Sequence, residues 1–235
     1  MKKILLLTAM ILAGMNTAHT AAVPTFESVR AAHNVTVSTD TQSPFWRGAK
    51  SIYLERNTWG NTVPHLRTEV LSRWTKDNLY FLFICPYQKL SLNPNPHPKR
   101  ETDKLWHWDV AEVFIGWNFD DIDRYKEFEV SPQGEWVDLS IDINRTHDSH
   151  DWIWNSGFRV AARIDRRKKI WYGAMRIPFA AIDPYAPKVG SLFRVNLFRT
   201  EGAAPNTKDV VWQPTMSKTF HVPKRFGQLK LIESQ

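Results

Sequence analysis

The chain reads as all-β: one antiparallel β-sandwich, with jelly-roll or immunoglobulin-like layers, of about 10–12 short strands and little helix. Three observations predict this. Short runs rich in β-branched and aromatic side chains recur along the sequence, most of them closed by turn residues. No segment keeps a convincing helical repeat of apolar residues. The 235 residues include eleven tryptophans and a single cysteine, so stability comes from packing and no intrachain disulfide forms.

In chain order, residues 1–22 come first: MKKILLLTAMILAGMNTAHTAA. Lys2 and Lys3, an apolar run from Ile4 to Gly14 and a small-residue exit make a secretory signal peptide. The run is too short to cross a bilayer, which takes roughly 20 apolar residues. Residues 23–235 are then expected as a single domain of an exported protein, periplasmic or extracellular, with no membrane span after cleavage. No Gly/Ser-rich linker divides them.

Strands are expected at NVTVS (34–38), SIYLER (51–56), LRTEVLSRW (66–74) and LYFLFICPY (79–87), the last two joined by the turn TKDN. VAEVFIGW (110–117) and RYKEFEVS (124–131) follow, then the turn PQGE and WVDLSID (136–142). FRVAARID (158–165), the turn RRKK and IWYGAMRIP (170–178) repeat the pattern; PFAAID (178–183) suggests one helical turn started by Pro178. SLFRVNLFR (191–199), VVWQP and FGQLKLI complete the set. Cys85 falls in an apolar strand and reads as a buried filler. Two long connections, residues 85–104 and 144–157, are where a sandwich usually carries its binding function.

Net charge is +7, from 31 basic and 24 acidic residues. The basic residues are scattered, and the longest run, Arg166 to Lys169, sits in a hairpin turn. Nucleic acid is therefore excluded as a partner. Eleven tryptophans exceed what a core of this size needs. Indoles stack on flat ligands and keep one N–H donor, so several belong to a binding surface.

The ordered segments LWHWDVAEVFIGW, YKEFEVSPQGEWVDLSID, MRIPFAAI, G-SLFRVNLFR, VVWQPT and FHVPKRFGQLKL resemble the family 9 carbohydrate-binding modules over about residues 45–232. More closely, they resemble stand-alone relatives within the wider DOMON superfamily. The resemblance implies a β-sandwich, no catalysis, and a sugar clamped between two tryptophans. It carries a stacking role to Trp106 and a hydroxyl-bonding role to Glu112. The founding modules also use Arg and Asn from the next strand; here that strand holds Glu127 and Glu129, acceptors in place of donors, so Glu129 is an expected sugar contact and Asn196 and Arg199 are the expected donors. The second indole is expected at Trp212, then Trp154, then Trp152. Glu112 either meets a sugar or pairs with Arg199 or Arg194, since an unpaired buried carboxylate is costly.

No cofactor is expected beyond structural calcium, at Asp120, Asp121 and Asp123 beside Asn118. His147, Asp148, His150 and Asp151 share a loop, but their spacing fits no zinc or EF-hand pattern. Three alternatives stay open. One is a glycoside hydrolase using Glu112, Glu127 and Glu129. Another is a haem-binding electron-transfer domain drawing on Met175, Met216, His107 and His221. The third is an interaction scaffold with a decayed sugar site. The expected partner is an oligo- or polysaccharide, with a separately encoded enzyme or envelope assembly using the domain.

Overall fold

The computed structural model describes residues 22–145, 152, 154–203 and 205–234. Almost all of the segment read as a signal peptide, and the loop group His147, Asp148, His150 and Asp151, lie outside the described residues. The strands are β1 (Thr25–Arg30), β2 (Lys50–Leu54), β3 (Thr68–Trp74), β4 (Asn78–Pro86), β5 (Val110–Gly116) and β6 (Arg124–Val130). They continue as β7 (Trp136–Asp142), β8 (Arg159–Asp165), β9 (Ile170–Pro178), β10 (Leu192–Glu201), β11 (Lys208–Val211) and β12 (Gly227–Ile232). The helical turn after Pro178 is α1 (Phe179–Ile182).

All twelve strands join one sheet in the order β7-β6-β5-β10-β12-β1-β3-β4-β9-β8, with β11 on β10 and β2 on β3. The antiparallel sandwich expected from the sequence is corrected in one respect: the sheet is mixed. β1 runs parallel to β12, from Thr25 opposite Gln228 to Val29 opposite Ile232, and parallel to β3 at Val29 and Arg73. TFESVR was not among the expected strands, because Glu27, Ser28 and Arg30 interrupt its apolar residues; the sheet nevertheless buries Phe26, Ser28 and Val29. NVTVS, conversely, pairs with no strand. Val35 and Val37 instead pack on the outer cluster around Tyr80, Leu82 and Tyr172, and the Val35 N–H donates to the Tyr80 hydroxyl at 3.1 Å.

The sheet curls around a main core until its two halves meet. β6 packs on β8 and β9, with Phe128 and Phe158 ring to ring at 5.1 Å. The result is a nearly closed all-β body. Alternation decides what each strand residue faces. On β5, Ala111, Val113 and Ile115 enter the main core, while Val110 and Phe114 belong to a second cluster with Tyr125, Leu139, Phe198 and Phe226. That second cluster lies outside the sheet. Strands buried on both faces explain why β5 reads as apolar throughout. Glu112 shares the outer face with Val110 and Phe114.

Candidate functional site

Over this outer face lies a cleft of about 500 Å³, in the range of small-molecule sites. Trp106 stands on one wall. It comes from a tight turn, Leu105–His107, anchored by Leu105, which is fully buried in the second cluster. Lys104 starts the turn in the left-handed region at φ 58°, and the Trp108 N–H closes it on the Leu105 carbonyl at 3.2 Å. Asp109 then locks the turn to its surroundings. Its N–H donates to the Ser91 carbonyl at 2.9 Å, and its Oδ1 accepts from the Gly202 N–H at 2.7 Å. The half-buried indole is thus held on a fixed base.

Trp152, Phe220 and His221 supply further walls. Phe220 stacks on Phe198 at 4.4 Å and 12°, His221 stacks on Phe114 at 5.2 Å, and Trp152 meets His221 at 5.8 Å. His221 Nδ1 and the Tyr125 hydroxyl are hydrogen-bonded at 2.6 Å, which fixes the ring. Trp152 also lines a neighbouring cavity of about 500 Å³, together with Trp154, Lys126 and Trp117.

The floor is acidic. Glu112 on β5 sits opposite Glu129 on β6, and Phe114 opposite Glu127, so all three carboxylates leave the sheet on one face. One oxygen of each lies within 4.8 Å of the others. Exposure is 2% for Glu112, 3% for Glu127 and 0% for Glu129. No N–H or hydroxyl donor reaches Glu112 Oε1, Glu127 Oε2 or either oxygen of Glu129; the Glu127 and Glu129 carboxyls meet each other, and Glu112 meets Thr200. Burial pushes Glu112 and Glu129 well above the ordinary carboxylate range, and the neighbouring carboxylates push them further. Burial raises Glu127 as well, opposed by His221. Asp209, raised by burial, lines the same cleft; the Thr58 N–H donates to its Oδ2 at 2.7 Å.

The structure brings together some of the expected residues and separates others. Trp106 and Glu112 line the cleft, with Glu127 beside them and Glu129 behind. Arg199 is not Glu112's partner. It sits opposite Ala111, one residue out of step, and so projects to the main-core side. There it donates to Glu201 at 3.1 Å and to the Leu66 carbonyl at 3.4 Å. Arg194 shares Glu112's face but serves the other end of the strand, donating to the carbonyls of Asn118 and Ile122.

Asn196 is turned to the 213 segment: its Nδ2 donates to the Gln213 carbonyl at 2.9 Å, and its Oδ1 accepts from the Gln213 N–H at 3.0 Å. Trp212, the first choice for the second indole, packs edge-on against Phe26 at 5.2 Å and covers Gly227 so closely that a Cβ there would clash at 2.5 Å. It does not line the cleft. Trp154 lies under Lys126, whose Nζ is 4.1 Å from the ring centroid, in the neighbouring cavity. Of the three expected indoles, Trp152 alone shares the cleft with Trp106.

The expected calcium loop does not converge either. Asp121 accepts from Arg124 at 2.8 Å, Asp123 accepts from Asn144 at 3.0 Å, and the Asp120 N–H donates to Asn118. Met175 is fully buried in the main core, Met216 is exposed, and His107 and His221 line the cleft. Sequence reading missed Asp209, Thr200 and Phe220 as cleft residues. No motif signals them: Thr200 and Asp209 meet only through the pairing of β10 with β11, and Phe220 arrives from the irregular segment after β11.

Comparison with known proteins places the chain in context. The model of the carbohydrate family 9 binding domain-like family matches residues 40–234. A carbohydrate-binding module of family 9 from Caldicellulosiruptor kristjanssonii, solved with cellotriose, shares the fold at a TM-score of 0.64 and 14% identity, over 90% of this chain and 95% of that one. The same organism's module solved with glucose gives a TM-score of 0.62 at 14% identity, over 89% and 97%. An "Extracellular protein" from Arthroderma benhamiae is 27% identical over 169 residues, 67% of this chain and 70% of its own length.

Proposed function

The chain belongs to the carbohydrate family 9 binding domain-like family, and from that premise we propose that it is an exported, non-catalytic carbohydrate-binding protein whose sugar lies in the cleft between Trp106 and Trp152. The observation that carries this reading is the coincidence, in one cleft, of two indoles and two buried carboxylates with free oxygens. Axial C–H groups of a pyranose suit an indole face. Its hydroxyls both donate and accept, and Glu112 and Glu127 can answer either way, accepting through a carboxyl oxygen or donating when they hold a proton. Thr200, Thr207 and Lys218 supply donors for the ring and hydroxyl oxygens.

Glucose-type sugars are the first ligands to try, since the related modules hold glucose and cellotriose. Residues 23–235 act as one unit, and a separately encoded enzyme or envelope assembly uses it. Among the described residues no helix is long and apolar enough to cross a membrane. The test is a calorimetric and fluorescence titration of the mature protein with glucose and cellotriose, with a parallel assay for released reducing sugar. Saturable heat and indole quenching without product are expected. A flat titration with both sugars, or turnover of cellotriose, would sink the proposal.

A further inference from the structure

The carboxylate cluster beneath the cleft has a consequence of its own, independent of which sugar binds above it. We propose that Glu112, Glu127 and Glu129 form a binding site for a calcium-sized divalent cation. The strand register puts three carboxylates on one face, with an oxygen of each inside a 4.8 Å span. Oxygens ligating one Ca²⁺ at about 2.3–2.6 Å lie at most about 5 Å apart, whereas Mg²⁺ at about 2.0–2.1 Å draws them within about 4.2 Å. Three oxygens within that reach can converge on one such ion, and calcium tolerates an irregular oxygen set where magnesium demands a near-ideal octahedron.

A second observation points to a ligand. Glu129 is fully buried and aimed into the cluster, and no N–H or hydroxyl donor reaches either of its oxygens, whose one side-chain contact is the Glu127 carboxyl. Among the described residues no ion pair involves any of the three glutamates. Carboxylates that serve only the fold are normally answered by a cation or by N–H donors, because burying the charged form otherwise is costly. The donor set is all oxygen, which selects a hard ion over zinc or copper. His221, the nearby nitrogen ligand, is engaged by Tyr125.

Access exists, since Glu112 and Glu127 line the open cleft. Thr200 and Asp209 add oxygens on the same wall, and outward coordination positions remain for water.

The experiment uses mature protein stripped of metal with chelator and titrated with terbium(III), a luminescent calcium substitute, under tryptophan excitation. Trp106 and Trp152 line the cleft above the cluster and should sensitise the ion. Saturable emission that calcium displaces is expected, along with a rise of the unfolding temperature in calcium. Glu129→Gln, which keeps shape and removes one charge, should abolish both, and Glu112→Gln carries the same test should the first variant not fold. Asp121→Asn, in the surface loop, should leave both unchanged. No saturable emission and no calcium-dependent stabilisation in the unsubstituted protein would overturn the proposal. So would emission that survives Glu129→Gln or disappears with Asp121→Asn.

Discussion

Two groups of buried ionisable residues lie on opposite faces of the neighbouring strands β10, β5 and β6, and they are built on opposite plans. On the main-core face, Arg199 pairs with Glu201 at 3.1 Å and caps the Leu66 carbonyl, while Asp109 accepts from Gly202 at 2.7 Å. One-residue alternation away, on the outer face, Glu112, Glu127 and Glu129 crowd together with no cation among the described residues. Burial is nearly the same in both. A charge answered by its own fold is structural, whereas carboxyls that no cation answers at the floor of a cleft are where an incoming ion is proposed to bind.

The largest effect expected from breaking this comparison falls on the paired side. Arg199→Met leaves Glu201 and Asp109 without their cation and should destabilise the protein by about 3–5 kcal/mol. The denaturant midpoint should fall accordingly, while the folded fraction keeps its sugar affinity. Trp212→Ala should follow at about 3 kcal/mol of stability, as expected of a truncated core indole, again with affinity retained. A loss of sugar binding in Trp212→Ala with little change in midpoint would reverse the assignment of the two indoles.

On the unanswered side the effects move from stability to binding. Trp106→Ala should weaken sugar binding by about 2 kcal/mol, roughly thirty-fold in Kd, with a smaller change in midpoint than either core substitution.

The smallest effect expected is a pH dependence. The three glutamates face one another, with Asp209, Asp103 and His221 nearby, and all three carboxyls are raised above the ordinary 4.5. Each binds its proton more tightly folded than unfolded. Their contribution therefore favours folding at low pH and is lost as pH climbs from 4.5 through the raised values. Metal-free protein should lose stability over that interval more steeply than Glu129→Gln does, and calcium should flatten the difference. Equal slopes with and without calcium would detach the cluster from the ion.

Much of this was legible in the sequence. The strand runs are short, β-rich and closed by turns, so nearly all of them appear where pattern puts them, and the family resemblance carried by the D-V-A-E-V-F stretch pointed to Glu112 and Trp106, which the fold brings to one cleft. What was hidden depends on pairing between distant segments. β1 joins β12 across some 200 residues of chain, and nothing local announces a parallel partner so far away. The same blindness placed Arg199 beside Glu112: both lie on strands that pair, but only the register, Arg199 against Ala111, shows that they face apart. The second indole was illegible because the polar sequence 144–157 that carries Trp152 has no period to read.

The proposed holding of the ligand by Trp106 and Trp152, and not by Trp212 or Trp154, can be measured directly. The indole N–H signals of the eleven tryptophans can be assigned by single substitutions in a ¹H–¹⁵N spectrum and followed through a glucose or cellotriose titration. The signals of Trp106 and Trp152 should move together along one saturation curve, while those of Trp212, Trp74 and Trp171 stay in place. Movement of Trp212 with Trp106 and Trp152 at rest would contradict the account.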